Sequence, residues 1–457
     1  MIPLLSTKDM READALAVAN VGTDVLVERA GYAVGAEARR LLGSLYGKKI
    51  VVVAGPGLNG ADGRRAAVWL QTRGAKVSVV EATSAPASLE GFDLVIDAAF
   101  GLGCSRPYDA PEVGDTPVLS VDIVSGVDAD TGAVMGKPFH ATSTVAVGAL
   151  KPGHLFGEGA ALAGELSFSS LGIATDARDG VLETSDLEDF VRMDANDNKW
   201  RHAVLVVAGS PTMLGAPELC SRGALATGAS MVRVLVPSVD AQYLNNLPAE
   251  TVRVAAYTKE LVEVATHDAS RLRVTVLGPG LGRDPETQQQ VRAFVHAVTT
   301  PLVLDADGLN AVDIELLASR PNGKDIILTP HDGEFERLTG HAPGENRLED
   351  VRSLAKTTNC VVLLKGPTTI ISTPDGDVRV VRSGTSALAT AGTGDVLAGM
   401  IGGAISRGFS ALDSAAFAAH LHGLAGQRLG IYAGASELPQ AVGDVLEDVR
   451  HGGNNGG

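Results

Sequence analysis

The segment ATAGTGDVLAG, residues Ala389–Gly399, decides the fold of the second half of this chain. Here Gly392, Gly394 and Asp395 stand where an extended segment turns into an apolar helical run. A glycine turn at a helix start exposes backbone N–H groups, and the helix dipole adds positive potential, so the pattern predicts a phosphate site. Because an acid at this place would repel phosphate, Asp395 is interpreted as a general base beside a phosphoryl group or as a helix cap.

Length and composition predict two α/β domains. The chain has 457 residues, more than one ordinary core holds, and it is glycine-rich with only 4% aromatic residues. Its net charge of −16 argues against a nucleic-acid partner or an anionic membrane. The isolated Cys104, Cys220 and Cys360 predict reduced thiols, and without a signal-peptide pattern or an apolar span we expect a cytoplasmic protein.

Short β-branched runs alternate with helical stretches in both halves, which is typical of parallel sheets. We expect a Rossmann-like three-layer parallel-sheet domain over residues 1–173 and a second α/β domain over 199–450. Residues 174–198 hold eight acids against two arginines and predict a linker, and 451–457 predict a disordered tail. The Ala-rich run near Ala33–Leu42 could pack on its own sheet or form subunit contacts, and we expect a homo-oligomer.

The first glycine loop allows a dehydrogenase as one alternative. Gly55, Gly57 and Gly60 match G-x-G-x-x-G after a strand, and Glu81 closes the next strand where a ribose-binding acid would stand. An aspartate inside the loop, Asp62, fits this reading poorly because it would repel a pyrophosphate.

Oxygen-bearing side chains follow three successive strands of the first half. Asn59, Asp97 and Ser125 are expected to converge at the carboxyl ends of the strands, where amide, carboxylate and hydroxyl oxygens suit a hard cation of low charge. The alternative is that each caps a helix or holds a turn. Lys151 is either a proton-transfer group or a solvated surface lysine.

Strand ends of the second half carry a similar series. A glycine loop spans Gly278–Gly282, and His331 and Lys365 each follow a short buried run. His331 could contact a ligand or only form structural hydrogen bonds, and Lys365 with Gly366 could meet a nucleotide phosphate or only aid solubility.

Taken in order, these motifs resemble a known family. The second half resembles the ribokinase-like superfamily and, more closely, ADP-dependent NAD(P)H-hydrate dehydratases, through LGPGLG, LDADGLN, LTPHDGE, LLKGPTT and ATAGTGDVLAG. The first half resembles the NAD(P)H-hydrate epimerase domain through LNGADG, DAAFGLG and VDIVSGVDADTG. The whole chain is therefore similar to the bifunctional NAD(P)H-hydrate repair enzymes, which implies a ribokinase-like second domain, NAD(P)H hydrate and ADP as substrates, and AMP and phosphate as products.

For the first half, the resemblance implies K⁺ bound by Asn59, Asp97 and Ser125. Asp122 and Lys151 are our candidates for proton transfer. The implied hydrate-binding residues are Leu58, Asn59, Gly60, Ala61, Asp62, Gly101, Leu102, Gly103, Cys104, Ser105, Arg106, Pro107 and Asp122.

For the second half, the resemblance implies Asp395 as the catalytic base and Mg²⁺ as a cofactor. The implied hydrate contacts are Ala216, Gly280, Gly282, His331 and Asp395. The implied ADP site comprises Lys365, Gly366, Pro367, Thr368, Thr369 and Gly394.

Two positions depart from the family pattern: Leu58 stands where the family usually has Asn, and Val124 where it usually has Pro. The alternatives to a repair enzyme are a ribokinase-like small-molecule kinase, a nucleotide-binding protein whose first half lacks turnover, and the dehydrogenase.

Overall fold

A computed structural model describes residues 1–103, 106–192, 201–237, 247–254, 261–263, 271–320 and 325–452. Two compact units divide the chain, Ile2–Gly180 and Val181–Gly457, with Met1 grouped with the latter. They are called the first and second unit below. Cys104 and Ser105, expected in the hydrate site, lie outside the described residues, as do 193–198 of the expected linker and 453–457 of the expected tail.

The first unit is built on a parallel sheet whose described strands run in the order β2-β1-β3-β4-β5-β6. Winding reverses between β1 and β3, and in such sheets a crevice opens at the carboxyl ends of the strands on either side of the reversal. The strands are Lys49–Ala54 (β1), Lys76–Glu81 (β2), Leu94–Ala98 (β3), Val118–Val121 (β4), Ser143–Val147 (β5) and Glu165–Ser169 (β6).

Both faces of this sheet are covered, as the nearly continuous apolar strands require. Ile50 and Val52 of β1 pack with two helices on one face, while Val51 and Val53 pack on the other face against loop residues such as Phe139. The helices of this unit are Thr7–Val21 (α1), Thr23–Leu42 (α2), Leu58–Gln71 (α3) and Gly157–Leu162 (α4).

The second unit contains a larger sheet, in which the strands from β7 to β15 follow the order β15-β14-β13-β12-β11-β10-β7-β8-β9. Winding reverses between β7 and β10. Neighbours are parallel from β9 to β13, and β13, β14 and β15 pair antiparallel. The strands are Ala203–Val207 (β7), Met231–Leu235 (β8), Thr251–Val254 (β9), Val274–Leu277 (β10), Leu302–Leu304 (β11), Ile326–Leu328 (β12), Val361–Leu364 (β13), Thr369–Ser372 (β14) and Val378–Val381 (β15).

A nearly fully buried helix, Thr393–Ser406, organises the core of the second unit. Its small residues allow very close packing: a Cβ added at Gly399 would lie 2.0 Å from the carbonyl oxygen of Cys220 on a neighbouring helix. The helices of this unit are Gly215–Ala226 (α5), Pro285–Ala297 (α6), Asp307–Asn310 (α7), Ile314–Ala318 (α8), Asp332–Thr339 (α9), Arg347–Thr358 (α10), Thr393–Ser406 (α11), Ala411–Leu429 (α12) and Leu438–Arg450 (α13).

Candidate active sites

The first unit has a cavity of about 440 Å³ at the point where its strand order reverses. Its walls come from α1, from the start of α3 and from the segments that follow β3 and β4. The polar side chains that line it are Arg11, Asp14, Thr23, Asn59, Asp62 and Asp122. A crevice at this place is the usual ligand site of a doubly wound sheet.

Not every residue expected to bind the hydrate lines this cavity. Leu58, Asn59, Asp62, Gly101, Leu102, Gly103 and Asp122 do, whereas Gly60, Ala61, Arg106 and Pro107 do not. Lys151, expected to transfer protons, does not line it either. Gly60 packs inward instead, since a Cβ there would lie 1.9 Å from the carbonyl oxygen of Gly55.

Asp97 and Ser125 form one buried hydrogen-bond network behind the cavity. Asp97 is fully buried and accepts hydrogen bonds from the Ser125 hydroxyl at 2.6 Å and from the Ser125 amide at 2.9 Å. The Ser125 hydroxyl oxygen also accepts from the amide of Phe100 at 2.8 Å. Burial raises the pKa of Asp97, and these hydrogen bonds partly oppose that rise.

Asn59 presents the clearest sign of a ligand in this unit. Both polar atoms of its side chain are buried without a hydrogen-bond partner among the described residues. A Cβ added at Gly101 would lie 3.4 Å from its Cγ and 3.5 Å from Oδ2 of Asp122, so these groups share one small space. Buried amide groups normally have partners, and an oxygen-rich neighbourhood is suited to a hard cation.

Asp122 and Lys151 form an ion pair at the rear of the cavity. Nζ of Lys151 donates to Oδ1 of Asp122 and, at 2.8 Å, to the carbonyl oxygen of Val147, and the lysine side chain has no exposed surface. Asp122 has a positive φ of 65°, and His154 holds its carbonyl oxygen at 2.6 Å. Lys151 is therefore not a solvated surface residue.

The glycine loop of the first unit contacts other residues of the protein at the positions where a dehydrogenase would bind its dinucleotide. Arg64 binds the carboxylate of Glu81 at 2.6 Å and the carbonyl oxygen of Gly55 at 2.8 Å. A Cβ at Gly55 would lie 1.8 Å from the carbonyl oxygen of Ala99. Chain packing thus requires glycine at Gly55 and Gly60, and the acid expected to bind ribose is already paired.

Helix α11 of the second unit begins inside the GTGD motif, so Asp395 is its third residue. Gly392 adopts a left-handed conformation with φ of 91°, and no side chain of a described residue caps the helix. The first amides of α11 therefore face outward with the positive end of the helix dipole, the arrangement that binds phosphate.

Lys365 follows β13, and its side chain interacts with acids that follow β11 and β12. Its Nζ donates to Oδ1 of the buried Asp305 at 2.8 Å and lies 3.7 Å from Oε2 of Glu334. A Cβ added at Gly394 would lie 3.8 Å from the same Nζ, so the lysine stands at the start of α11. Burial alone would lower the pKa of Lys365, but Asp305 and Glu334 outweigh burial and raise it.

Asp395 is half-buried beside this cluster. Burial and the negative charge of Asp305 raise its pKa to about 7, although Lys365 opposes the rise, and Asp307 adds to it. An acid with a pKa near neutrality is partly ionised at physiological pH and can act as a general base.

His331 caps α9 through a reciprocal pair of hydrogen bonds. Its Nδ1 accepts from the amides of Gly333 at 3.0 Å and Glu334 at 3.3 Å, while Oε2 of Glu334 accepts from the His331 amide at 3.0 Å. The side chain is 60% exposed, and its Nε2 lies 3.6 Å from Oε1 of Glu334. His331 thus combines a structural role with a ring that is largely open to solvent.

Ala216 and Gly280 meet at the strand reversal of the second unit. A Cβ added at Gly280 would lie 2.9 Å from Cβ of Ala216, and Gly280 and Gly282 have φ values of 65° and 81°. The amide of Gly282 donates to Oδ2 of Asp307 at 2.9 Å. The loop therefore requires glycine and lies beside the start of α5.

The expected ADP segment forms the turn between β13 and β14. The Thr369 hydroxyl donates to the carbonyl oxygen of Gly366 at 3.2 Å, and the carbonyl of Pro367 packs against Gly384. Thr368 is half-buried within this turn. Lys365 is the residue of this segment that the structure brings to the start of α11.

Three acids near these sites had no assigned role in the sequence analysis: Asp14, Asp305 and Glu334. The helical spacing does indicate that Asp14 faces inward, because it lies on the face of α1 that carries the buried Met10 and Ala17. Asp305 and Glu334 stand inside quoted motifs, but their convergence on Lys365 depends on the strand order.

Fold and site together define a two-unit α/β protein in which a ribokinase-like unit follows a doubly wound unit. The family model described as NAD(P)H-hydrate dehydratase matches residues 204–447, and the one described as YjeF-related protein N-terminus matches 23–90 and 80–153. The chain is 32% identical to the bifunctional NAD(P)H-hydrate repair enzyme Nnr of Mycobacterium leprae (strain TN), covering 97% of this chain and 98% of that protein.

The chain belongs to the bifunctional NAD(P)H-hydrate repair enzyme family. It is also 34% identical to the enzyme of that name from Mycobacterium tuberculosis (strain CDC 1551 / Oshkosh), over 90% of each chain. A ribokinase-like superfamily protein from Enterococcus faecalis V583 shares its fold with a TM-score of 0.54, 22% identity and coverage of 60% of this chain and 96% of that one. The expected α/β fold and family are confirmed, and no described helix could cross a membrane.

Proposed function

We propose that the second unit dehydrates the (6S) hydrate of NAD(P)H with ADP as co-substrate. Asp395 carries this proposal, since its half-buried carboxyl has a pKa of about 7 and stands at an uncapped helix start next to Lys365. Asp395 takes the proton of the ring hydroxyl, and the hydroxyl oxygen attacks the β-phosphorus of ADP while AMP leaves. The amides at the start of α11 stabilise the charge on the transferring phosphoryl group.

The ring phosphate formed in this way is a far better leaving group than hydroxide. The carbon–oxygen bond breaks with its electrons going to phosphate, the ring nitrogen supplies its lone pair, and the adjacent ring carbon loses a proton. The products are NAD(P)H, AMP and phosphate. The elements of water lost from the hydrate are those needed to split ADP into AMP and phosphate, so the reaction balances. In this proposal Ala216, Gly280, Gly282 and His331 contact the hydrate, and Lys365–Thr369 and Gly394 contact ADP.

Mg²⁺ is expected to arrive with the nucleotide. The described residues contain no cluster of three metal-ligating side chains, and Asp305 is already paired with Lys365. This donor set is suited to an ion held mainly by phosphates and water with one or two carboxylates. When bound, Mg²⁺ would neutralise charge on the β-phosphate.

We propose that the first unit interconverts the two hydrate epimers in the 440 Å³ cavity. The unpartnered amide of Asn59 and the oxygens of Asp97 and Ser125 are suited to K⁺, which would fix the loops on which the substrate rests. Lys151 holds the Asp122 side chain in place through their buried ion pair. We further propose a cytoplasmic enzyme that acts as a homo-oligomer on small molecules, with domains 1–173 and 199–450.

The experiment is to follow the absorbance of NADH at 340 nm with hydrated NADH, ADP and K⁺. The proposal expects an ADP-dependent rise that continues until both epimers are consumed. A rise that stops when the (6S) epimer is exhausted would refute the function of the first unit, and no rise would refute that of the second.

A further inference from the structure

The epimerase function proposed above requires proton transfer on both faces of a ring. The hydroxyl must leave one face of the hydrated carbon and return on the other. Leaving needs a proton donor near the hydroxyl oxygen, and return of water needs an acceptor near the opposite face.

The two residues expected to transfer protons, Lys151 and Asp122, are poorly placed for this task or already engaged. Lys151 does not line the cavity, because Asp122 and the carbonyl of Val147 surround its Nζ. Asp122 lines the cavity, but its carboxylate is committed to the ion pair with Lys151. Removing Asp122 from that pair would leave a buried ammonium group without its counter-charge.

Asp14 and Asp62 are different. Both line the cavity, and neither carboxylate has a hydrogen bond or ion pair to another described residue. They come from separate helices, Asp14 from α1 and Asp62 from α3. Arg11, one turn before Asp14, donates to the carbonyl oxygen of Leu102 at 3.3 Å and so holds α1 against the loop on the cavity wall.

We propose that Asp14 and Asp62 are the two proton-transfer groups of the first unit, each serving one face of the hydrated ring. This inference rests on the proposed epimerase function. The protonated acid on one face gives its proton to the hydroxyl oxygen, the carbon–oxygen bond breaks, and the lone pair of the ring nitrogen forms the carbon–nitrogen double bond. Water then adds to the other face, its proton goes to the second carboxylate, and the electron pair returns to nitrogen.

The charges around the cavity are consistent with this assignment. Burial, followed by the charges of Asp122 and Asp14, raises the pKa of Asp62 to about 8. Burial also raises the pKa of Asp14, which Lys151 lowers and Asp122 raises. Burial therefore favours the protonated form of both acids. One passage through the reaction moves the proton from one acid to the other.

The test uses the full chain without ADP, so that the second unit stays silent. Separated (6R) and (6S) hydrates of NADH are incubated in H₂¹⁸O with K⁺, and inversion and ¹⁸O uptake are followed by chromatography and mass spectrometry. Asp14→Asn and Asp62→Asn are compared with Glu12→Gln, an exposed acid on α1, as the matched control. Thermal unfolding verifies that each variant folds.

We expect both Asn variants to lose inversion by 100-fold or more in either direction, while Glu12→Gln matches wild type. Each variant should still exchange oxygen in one epimer only, and the two variants should do so in opposite epimers, a pattern that a purely structural role would not produce. Inversion within threefold of wild type in Asp14→Asn would overturn the inference. If the wild-type chain does not accelerate inversion over buffer, the epimerase function itself fails.

Discussion

Replacing Asp395 with Asn removes the proposed base while keeping the size and hydrogen-bonding shape of the side chain. General bases contribute about 100- to 10,000-fold to a rate, so kcat of the ADP-dependent reaction should fall by that factor, about 3 to 5 kcal/mol of transition-state stabilisation. In the wild type, kcat/KM should rise with pH up to about 7, because the base must be ionised, and then level off.

The same substitution should stabilise the fold. The pKa of Asp395 is raised from 3.8 to about 7, so the folded state holds the proton more tightly than the unfolded state does. The stability linked to this proton is complete below pH 3.8 and is lost as the pH rises through 7. At pH 8 the buried carboxylate therefore costs up to about 4 kcal/mol, less where solvent reaches it.

The assays are ADP-dependent formation of NADH at 340 nm, ADP binding by calorimetry, and denaturant unfolding at pH 5 and pH 8. Asp395→Asn should bind ADP, turn over slowly and resist denaturation more than wild type at pH 8, with a smaller difference at pH 5. Glu345→Gln, at an exposed position before α10, is the control. Turnover within threefold of wild type, or equal stability at both pH values, would refute the reasoning.

Four further substitutions test other parts of the structure. Gly399→Ala should lower the free energy of unfolding of the second unit, because its Cβ would lie 2.0 Å from a backbone carbonyl oxygen. Gly443→Ala, whose Cβ would have nothing within 4 Å, should raise that free energy by about 0.5 to 1 kcal/mol. Equal Tm values for the two variants would contradict this. Lys151→Met should destabilise the first unit by about 3 to 5 kcal/mol by leaving the Asp122 carboxylate unpaired, which urea unfolding checks. Leu58→Asn should leave Tm unchanged, since Leu58 is 59% exposed, and should lower KM for epimer interconversion; an unchanged KM would show that this contact is not needed.

Much of the fold follows from local patterns that the chain carries openly. Continuous apolar runs such as Ile50–Ala54 and Ile326–Leu328 are buried parallel strands. Gly376, with φ of 91°, lies in the turn between β14 and β15. Gly22 separates α1 from α2, a break that the apolar pattern alone does not show.

Strands at or near the sheet edges were harder to predict. Glu165–Ser169 and Thr251–Val254 have partly exposed residues and few apolar side chains, so they lack the continuous apolar run by which central strands are found. Each pairs with the strand that precedes it in the chain, β5 and β8 respectively. The convergence of Asp305 and Glu334 on Lys365 depends on the order of β11, β12 and β13 in the sheet, which the sequence pattern did not give.

In the first unit, the sequence indicated which side chains have oxygen atoms at strand ends, but it did not indicate which of these side chains line the cavity. Asn59 and Asp122 line it, while Lys151 lies behind Asp122. Asp14 enters the same cavity from a helix that precedes the sheet. The position of Asp14 depends on how α1 packs against the sheet, and the residues at the strand ends do not indicate this packing.

The most direct test of the account is the absorbance at 340 nm of an equal mixture of the two NADH hydrates, recorded with K⁺ and with or without ADP. The account predicts no change without ADP and, with ADP, a single continuous rise to complete conversion, with one AMP and one phosphate formed for each NADH. Formation of a stable phosphorylated product without NADH would contradict it and indicate a small-molecule kinase.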